Sequence, residues 1–163
     1  MANKVYINEE TSTTWLTFSG THTLSLNGLA ADGVRVGDRS DLGASPRASQ
    51  YFYKLVVAGF GGGTPTVGET CDLYLSFSDG TYADGDVSSS DSNESTDTLP
   101  NLMFLGSASV QTTTASDELI VSGTCSIVQR YVSPVVHNNT ALACAIGGAL
   151  HQFILTPVPP EVQ

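Results

Sequence analysis

Six acids, Asp79, Asp84, Asp86, Asp91, Glu94 and Asp97, fall between Asp79 and Thr98 with no basic residue among them. The start of that stretch, Asp79-Gly80-Thr81-Tyr82-Ala83-Asp84-Gly85-Asp86, makes Asp79, Asp84 and Asp86 candidate oxygen ligands for calcium. Calcium takes about six to eight oxygens from a folded loop, and the spacing here is not that of an EF-hand. A solvated acidic turn with glycines at positive φ is the preferred reading. The run Gly59-Phe60-Gly61-Gly62-Gly63 lacks the Gly-Lys-Ser/Thr ending of a phosphate-binding loop, and no helix follows it, so it reads as a flexible hairpin loop. His22, His137 and His151 form no close pair and stand beside no cysteine, so they make a metal site only if the fold unites them. No Gly-x-Ser-x-Gly elbow is present. Paired carboxylates for glycoside hydrolysis leave no mark in spacing, but the acids gather in loops and the single Trp is Trp15. These patterns assign no catalytic residue, no metal and no cofactor, and the chain reads as a non-enzyme that works by binding other proteins.

The residues left for such binding are basic. Arg35, Arg39 and Arg47 are half of the six positive charges, with Lys54 just beyond them and Asp32, Asp38 and Asp41 interspersed. As a functional element they form an electrostatic docking strip for an acidic partner. As a structural one they are a solvated loop with local ion pairs of little energy, and this second reading is the better founded. The three cysteines, Cys71, Cys125 and Cys144, each lie in phase with apolar neighbours and read as small buried hydrophobes. Asn93-Glu94-Ser95 and Asn138-Asn139-Thr140 match the glycosylation sequon by chance on this reading, since no secretory signal is expected from the N-terminal residues.

The elements that must position these residues are strands. Period-two alternation predicts strands at Lys4–Ile7, Gln50–Ala58, Cys71–Phe77, Leu102–Leu105, Ala108–Thr113 and over the run Glu118–Val132, in which Gly123 marks a bulge. Thr14–Phe18 and His22–Leu26 are expected to form a hairpin around Ser19-Gly20-Thr21. Ala141–Ile146 and Leu150–Thr156 are expected to form another around Gly147-Gly148, and the Pro157–Pro160 tail suits a ladder poorly. No helical stripe is present. The fold class is therefore all-β, a single-domain β-sandwich of jelly-roll type over residues 1–163 with long loops and little or no helix. Residues 1–49 form an irregular N-terminal part, and residues 79–98 form a long acidic loop whose composition favours a mobile excursion.

Charge narrows the partners. With 6 basic residues against 16 acidic ones the net charge is −10, too negative for phosphate backbones or an anionic membrane surface. Only 13% of residues are charged and 40% are hydrophobic, which describes a core-forming chain with a Thr- and Ser-rich surface. No stretch approaches the length of a membrane span. Folding in a cytosol is expected, with any role outside a cell reached by another route such as lysis.

With the strands placed, a likeness emerges in Tyr51–Val57, Asp72–Gly80, Leu99–Gly106, Arg130–Val136 and the tail Leu155–Gln163. From about Tyr51 onward the chain resembles head decoration, or capsid cement, proteins of tailed bacteriophages. The resemblance implies a jelly-roll homotrimer without enzymatic activity, bound to the major capsid protein on the outer surface of the virion head and made in the host cytoplasm. Beyond the resemblance, the sandwich is expected to dock by one end, with the irregular N-terminal part and its Arg35, Arg39 and Arg47 toward the capsid and the acidic loop toward solvent. The alternative is a receptor- or glycan-binding module of a phage tail or fibre, which calls for an exposed aromatic patch such as Tyr51 or Tyr53. A small carbohydrate-active enzyme calls instead for two carboxylates with displaced pKa values in one cleft.

Overall fold

In this computed structural model, residues 5–7, 11–16, 21–44, 48–146 and 150–162 are described. Strand formation follows the alternation closely where the sequence is most apolar. In β6 (Gln50–Val57), Tyr51, Tyr53, Leu55 and Val57 enter the core while Phe52 and Lys54 face the other way. In β7 (Thr70–Ser78), Cys71, Leu73 and Leu75 enter it.

The remaining strands in chain order are β1 (Val5–Ile7), β2 (Thr13–Leu16), β3 (His22–Thr23), β4 (Gly33–Val36), β5 (Ser40–Asp41), β8 (Ser92–Glu94), β9 (Met103–Ser109), β10 (Leu119–Ser126), β11 (Tyr131–Asn139), β12 (Gln152–Pro157) and β13 (Pro160–Val162). One sheet has five strands in the order β10-β6-β12-β2-β3. The other has six, in the order β8-β4-β11-β7-β9, with β5 also on β11. The first and last strands, β1 and β13, pair with each other in a separate ribbon. The two large sheets pack into an all-β sandwich, and the helical content among the described residues is two 3₁₀ segments, Asp84–Asp86 and Thr96–Asn101. The antiparallel pairs nest: β2 with β12, β4 with β11, β6 with β10, and β7 with β9.

Between the sheets lie Trp15, Leu24, Leu26, Leu55, Leu73, Leu75, Val136, Phe153 and Leu155, all fully buried. Trp15 stacks obliquely on Phe153 at 5.2 Å, and its indole N–H donates to the Asp38 carbonyl. Burying an aromatic side chain of this size is worth about 4–6 kcal/mol of transfer free energy.

A second apolar cluster sits on the outer face of the six-stranded sheet. Val34, Val36 and Val135 are covered there by Val87, with Ala83, Leu99 and Leu102 packed against them. The covering residues belong to the segment 79–102, which therefore lies across the sheet instead of standing off as a mobile loop. Ser76 Oγ donates to the Asp84 carbonyl at 2.9 Å, and β8 pairs with β4. The acids dominate the composition of this segment, yet its few apolar side chains decide where it goes.

Other expectations are corrected. The segments around Thr14 and His22 do not form a hairpin: β2 and β3 run parallel, with Trp15 opposite His22. One side of β2 is taken by β12, and the Asp38 carboxylate receives the Thr23 N–H at 2.8 Å and draws β3 aside. The run Glu118–Val132 divides into β10 and the start of β11. Gly123 is no bulge, because the β10–β6 register is unbroken through Gly123 opposite Tyr53. A Cβ there would come within 2.7 Å of the Tyr53 hydroxyl, which donates to the Leu105 carbonyl. The segments around Leu102 and Ala108 form one strand, β9, with its irregularity opposite Leu73 and Tyr74.

Pro134 hid most of β11 from sequence reading, since a proline argues against a central strand. Its carbonyl accepts from Gly37 N–H, so its backbone faces the gap where the chain passes from β4 to β5. No ladder donor is needed there. Ala141–Ile146 forms no strand; it is held by backbone bonds to Leu29, Gly59 and Gly61, and residues 147–149 lie outside the described set. Those bonds also pin the start of the glycine run, where Phe60 is buried and bridges to Cys144. The proline tail does enter a ladder, Pro160 as the first residue of its strand, a position that proline tolerates.

Candidate binding surface

Arg35 is committed within the fold. Its Nε donates to Asp91 Oδ1 at 2.9 Å and its Nη1 to Asn93 Oδ1 at 3.0 Å, and its Nη2 pairs with Asp91 Oδ2. Asp91 also accepts the Ser25 N–H at 2.9 Å and gives its own N–H to Asp38 Oδ1. Burial pushes the Asp91 carboxyl up, but the hydrogen bonds from Arg35 and Ser25 outweigh it and hold the group below the usual carboxylate range. Arg35 is thus the latch that fastens the acidic segment to β4. The expected separation, arginines at one end and acidic loop at the other, does not hold.

Arg39 belongs to a different cluster. It and Arg130 lie 5.4 and 5.1 Å from the centre of the Tyr131 ring. Arg130 also grips Asp41 through two bonds, Nε to Oδ1 at 2.8 Å and Nη2 to Oδ2 at 2.6 Å. Arg39 Nη1 donates to Ser78 Oγ at 3.2 Å. Among the described residues Arg39 makes no ion pair within 4 Å. Nearby, the Asp79 carboxyl is held below its ordinary value by the Tyr82 and Thr81 N–H groups, with Arg39 adding to the effect. Tyr82 is 79% exposed and Val128 78%. Arg47 lies outside the described residues. Arginine stacked on tyrosine, with an exposed tyrosine nearby, is a composition enriched in protein–protein hot spots.

The other candidates do not converge. Among the described residues no group of three or more His, Cys, Asp or Glu could hold a metal ion, so Asp79, Asp84 and Asp86 do not form a joint cation site. His22 stacks on Trp15 at 5.3 Å, and His137 Nε2 meets Asp32 Oδ1 at 2.9 Å. His151 is fully buried; its Nδ1 accepts the Ala58 N–H at 3.0 Å, which leaves the proton on Nε2 toward the Ala145 carbonyl. Burial lowers its pKa, consistent with a neutral structural imidazole. The three thiols are free and buried, as expected. The neighbouring Cys144 thiol and burial push Cys71 up, and burial pushes Cys125 up to about 11.

Tyr51 and Tyr53 face the core and are buried, so neither supplies an exposed aromatic patch. The carboxyls with a resolved shift, Asp79 and Asp91, are both lowered, whereas a general acid needs a raised value. An open cleft of about 340 Å³ beside Ser25, Asn27, Arg35 and Asn93 has no aromatic lining. Asn138 is fully buried: its amide donates to the Leu29, Ala30 and Leu142 carbonyls, so the folded chain offers no sugar acceptor there. What sequence reading missed is Tyr131 with Arg130, which it left unremarked within the resemblance segments. The adjacency Arg130-Tyr131 was the available signal; the approach of Arg39 is made only by the fold.

No family model, curated protein or solved structure matches the chain.

Proposed function

We propose that this protein is a non-enzymatic virion component that binds the major capsid protein on the outer surface of a tailed-phage head and decorates or stabilises the shell. The carrying observation is the Arg39–Tyr131–Arg130 stack with exposed Tyr82 nearby, a ready docking surface on a chain of net charge −10. The nested strand pairs support a jelly-roll reading: eight strands, β2, β4, β6, β7, β9, β10, β11 and β12, pair as a long ribbon folded double. That architecture recurs in capsid-associated domains and in lectins, so it supports a binding role without choosing the partner.

The test is co-sedimentation of the purified chain with capsids that lack it. Wild-type chain pellets with the capsids, and Arg39→Ala combined with Tyr82→Ala weakens binding by about tenfold or more, the loss of one ordinary hot spot. Wild-type chain that stays in the supernatant, or a double variant that binds undiminished, would overturn the proposal.

A further inference from the structure

An unpaired strand edge invites another strand, and proteins blunt their edges with short strands, bulges, charges or proline. Three of the four edges of this sandwich are blunted. β3 has two residues, β8 has three and ends in Glu94, and β9 carries a register shift. The fourth edge, β10, has none of these devices. It is eight residues long, pairs without interruption along β6, and reads Leu119-Ile120-Val121-Ser122-Gly123-Thr124-Cys125-Ser126, with no charge and no proline. Among the described residues β6 is its one ladder partner.

The charges around β10 select the occupant. The strands of the five-stranded sheet contain no Asp or Glu, in a chain with 16 of them. Two copies at −10 each repel one another over most of their surfaces and least at this sheet. Asp117 and Glu118 precede β10, and Arg130 follows it. Arg130 is held by Asp41, so an antiparallel copy of β10 sets the acidic end of one chain against a neutralised end of the other, twice by symmetry. With Thr124 opposite its own counterpart, Ile120 faces Val128. Ile120 is 51% exposed and Val128 78%, apolar surface that this register covers.

We propose that β10 is a self-association seam, on which a second copy of this chain adds its own β10 antiparallel about a two-fold axis at Thr124 and joins the two five-stranded sheets into one of ten strands. This interface is isologous and closes at two copies, unlike the trimer that the family resemblance implies. It is independent of the capsid reading, since a chain can pair this way whatever it decorates.

The experiment is sedimentation equilibrium on the full chain, joined to disulfide trapping. Wild-type chain sediments as a dimer, and Ile120→Asp, with an unchanged β-type circular dichroism spectrum, shifts it to monomer with at least a tenfold weaker association. Thr124→Cys, incubated with oxidised glutathione, gives a covalent dimer: two thiols lose their hydrogens to glutathione and form one disulfide, their Cα atoms lying within the span that a disulfide bridges. Ser126→Cys gives none, because in this register its two copies stand about 13 Å apart along the strands. The native cysteines are buried and do not contribute. A monomeric or trimeric wild-type chain, a dimer indifferent to Ile120→Asp, or trapping at position 126 instead of 124 would each overturn the seam.

Discussion

The two outer faces of the sandwich are treated in opposite ways. On the six-stranded sheet, Val34, Val36 and Val135 point away from the main core and are buried again under Val87 and its neighbours from segment 79–102. On the five-stranded sheet, Phe52, Lys54, Ile120, Ser122, Thr124 and Ile154 point outward, and no second cluster forms over them among the described residues. The covered face carries the six acids of its covering segment, while the strands beneath the open face contribute Lys54 as their single charge. The difference teaches that a long acidic stretch can be a built part of a sandwich. Its acids are solvated or latched, its apolar residues are spent inward, and the chain's negative charge is thereby moved to one side. The side left neutral is the one that carries the proposed β10 seam.

The contrast breaks most sharply by placing the same charge on each face. Val135→Asp puts a carboxylate among the valines of the second cluster and is expected to cost about 3–5 kcal/mol. Ile120→Asp sits on exposed surface, and its expected cost to the monomer is under about 0.5 kcal/mol. Urea unfolding of both variants, under conditions that keep the chain monomeric, measures the pair. Equal losses would mean that segment 79–102 does not bury Val135. The same logic predicts that deleting the covering residues unfolds or aggregates the chain instead of merely trimming it.

A smaller effect is expected beneath the open face. Gly123 exists to let the Tyr53 ring pass under β10, with its hydroxyl reaching the Leu105 carbonyl of β9 at 2.7 Å. Gly123→Ala drives a methyl into that ring and is expected to cost about 1–3 kcal/mol. Removing the ring as well, in Gly123→Ala with Tyr53→Leu, recovers part of the loss. A thermal melt of the single variant matching wild type would show that the ring has another path.

How far the sequence disclosed this molecule depended on whether one residue or several made the feature. Period-two runs such as Gln50–Val57 and Thr70–Ser78 announced their strands and inward faces, because alternation is a property of one segment. β11 was obscured by Pro134, whose tolerance depends on the break between β4 and β5 beside it. The covering role of segment 79–102 was obscured because Val87, Leu99 and Leu102 are sparse and lack a period, and their burial needs β4 and β11 to be in place. The arginines were legible as charges but not as partners. Arg35 is joined to Asp91 across 56 residues of sequence, while Arg39 and Arg130 approach the Tyr131 ring from separate loops. The buried state of the three cysteines followed from their phase with apolar neighbours and needed no partner.

The latch between segment 79–102 and β4 gives the finest test. Asp91 has its carboxyl lowered in the folded chain, the bonds from Arg35 and Ser25 outweighing burial. A lowered group contributes its stability in full above the unfolded pKa of an aspartate, about 3.9, and loses it as pH falls through the folded value. At neutral pH, Asp91→Asn keeps an acceptor for Ser25 but removes the charge facing Arg35, for an expected loss of about 1–2 kcal/mol. Because wild type surrenders the same interaction in acid, the gap between the two chains should narrow toward zero as the solution is taken below the carboxylate range. Urea midpoints of both proteins at neutral and acid pH read that narrowing directly. A gap that persists at acid pH would assign the loss to altered packing of segment 79–102, and the Asp91–Arg35 ion pair would not be what fastens it to the sheet.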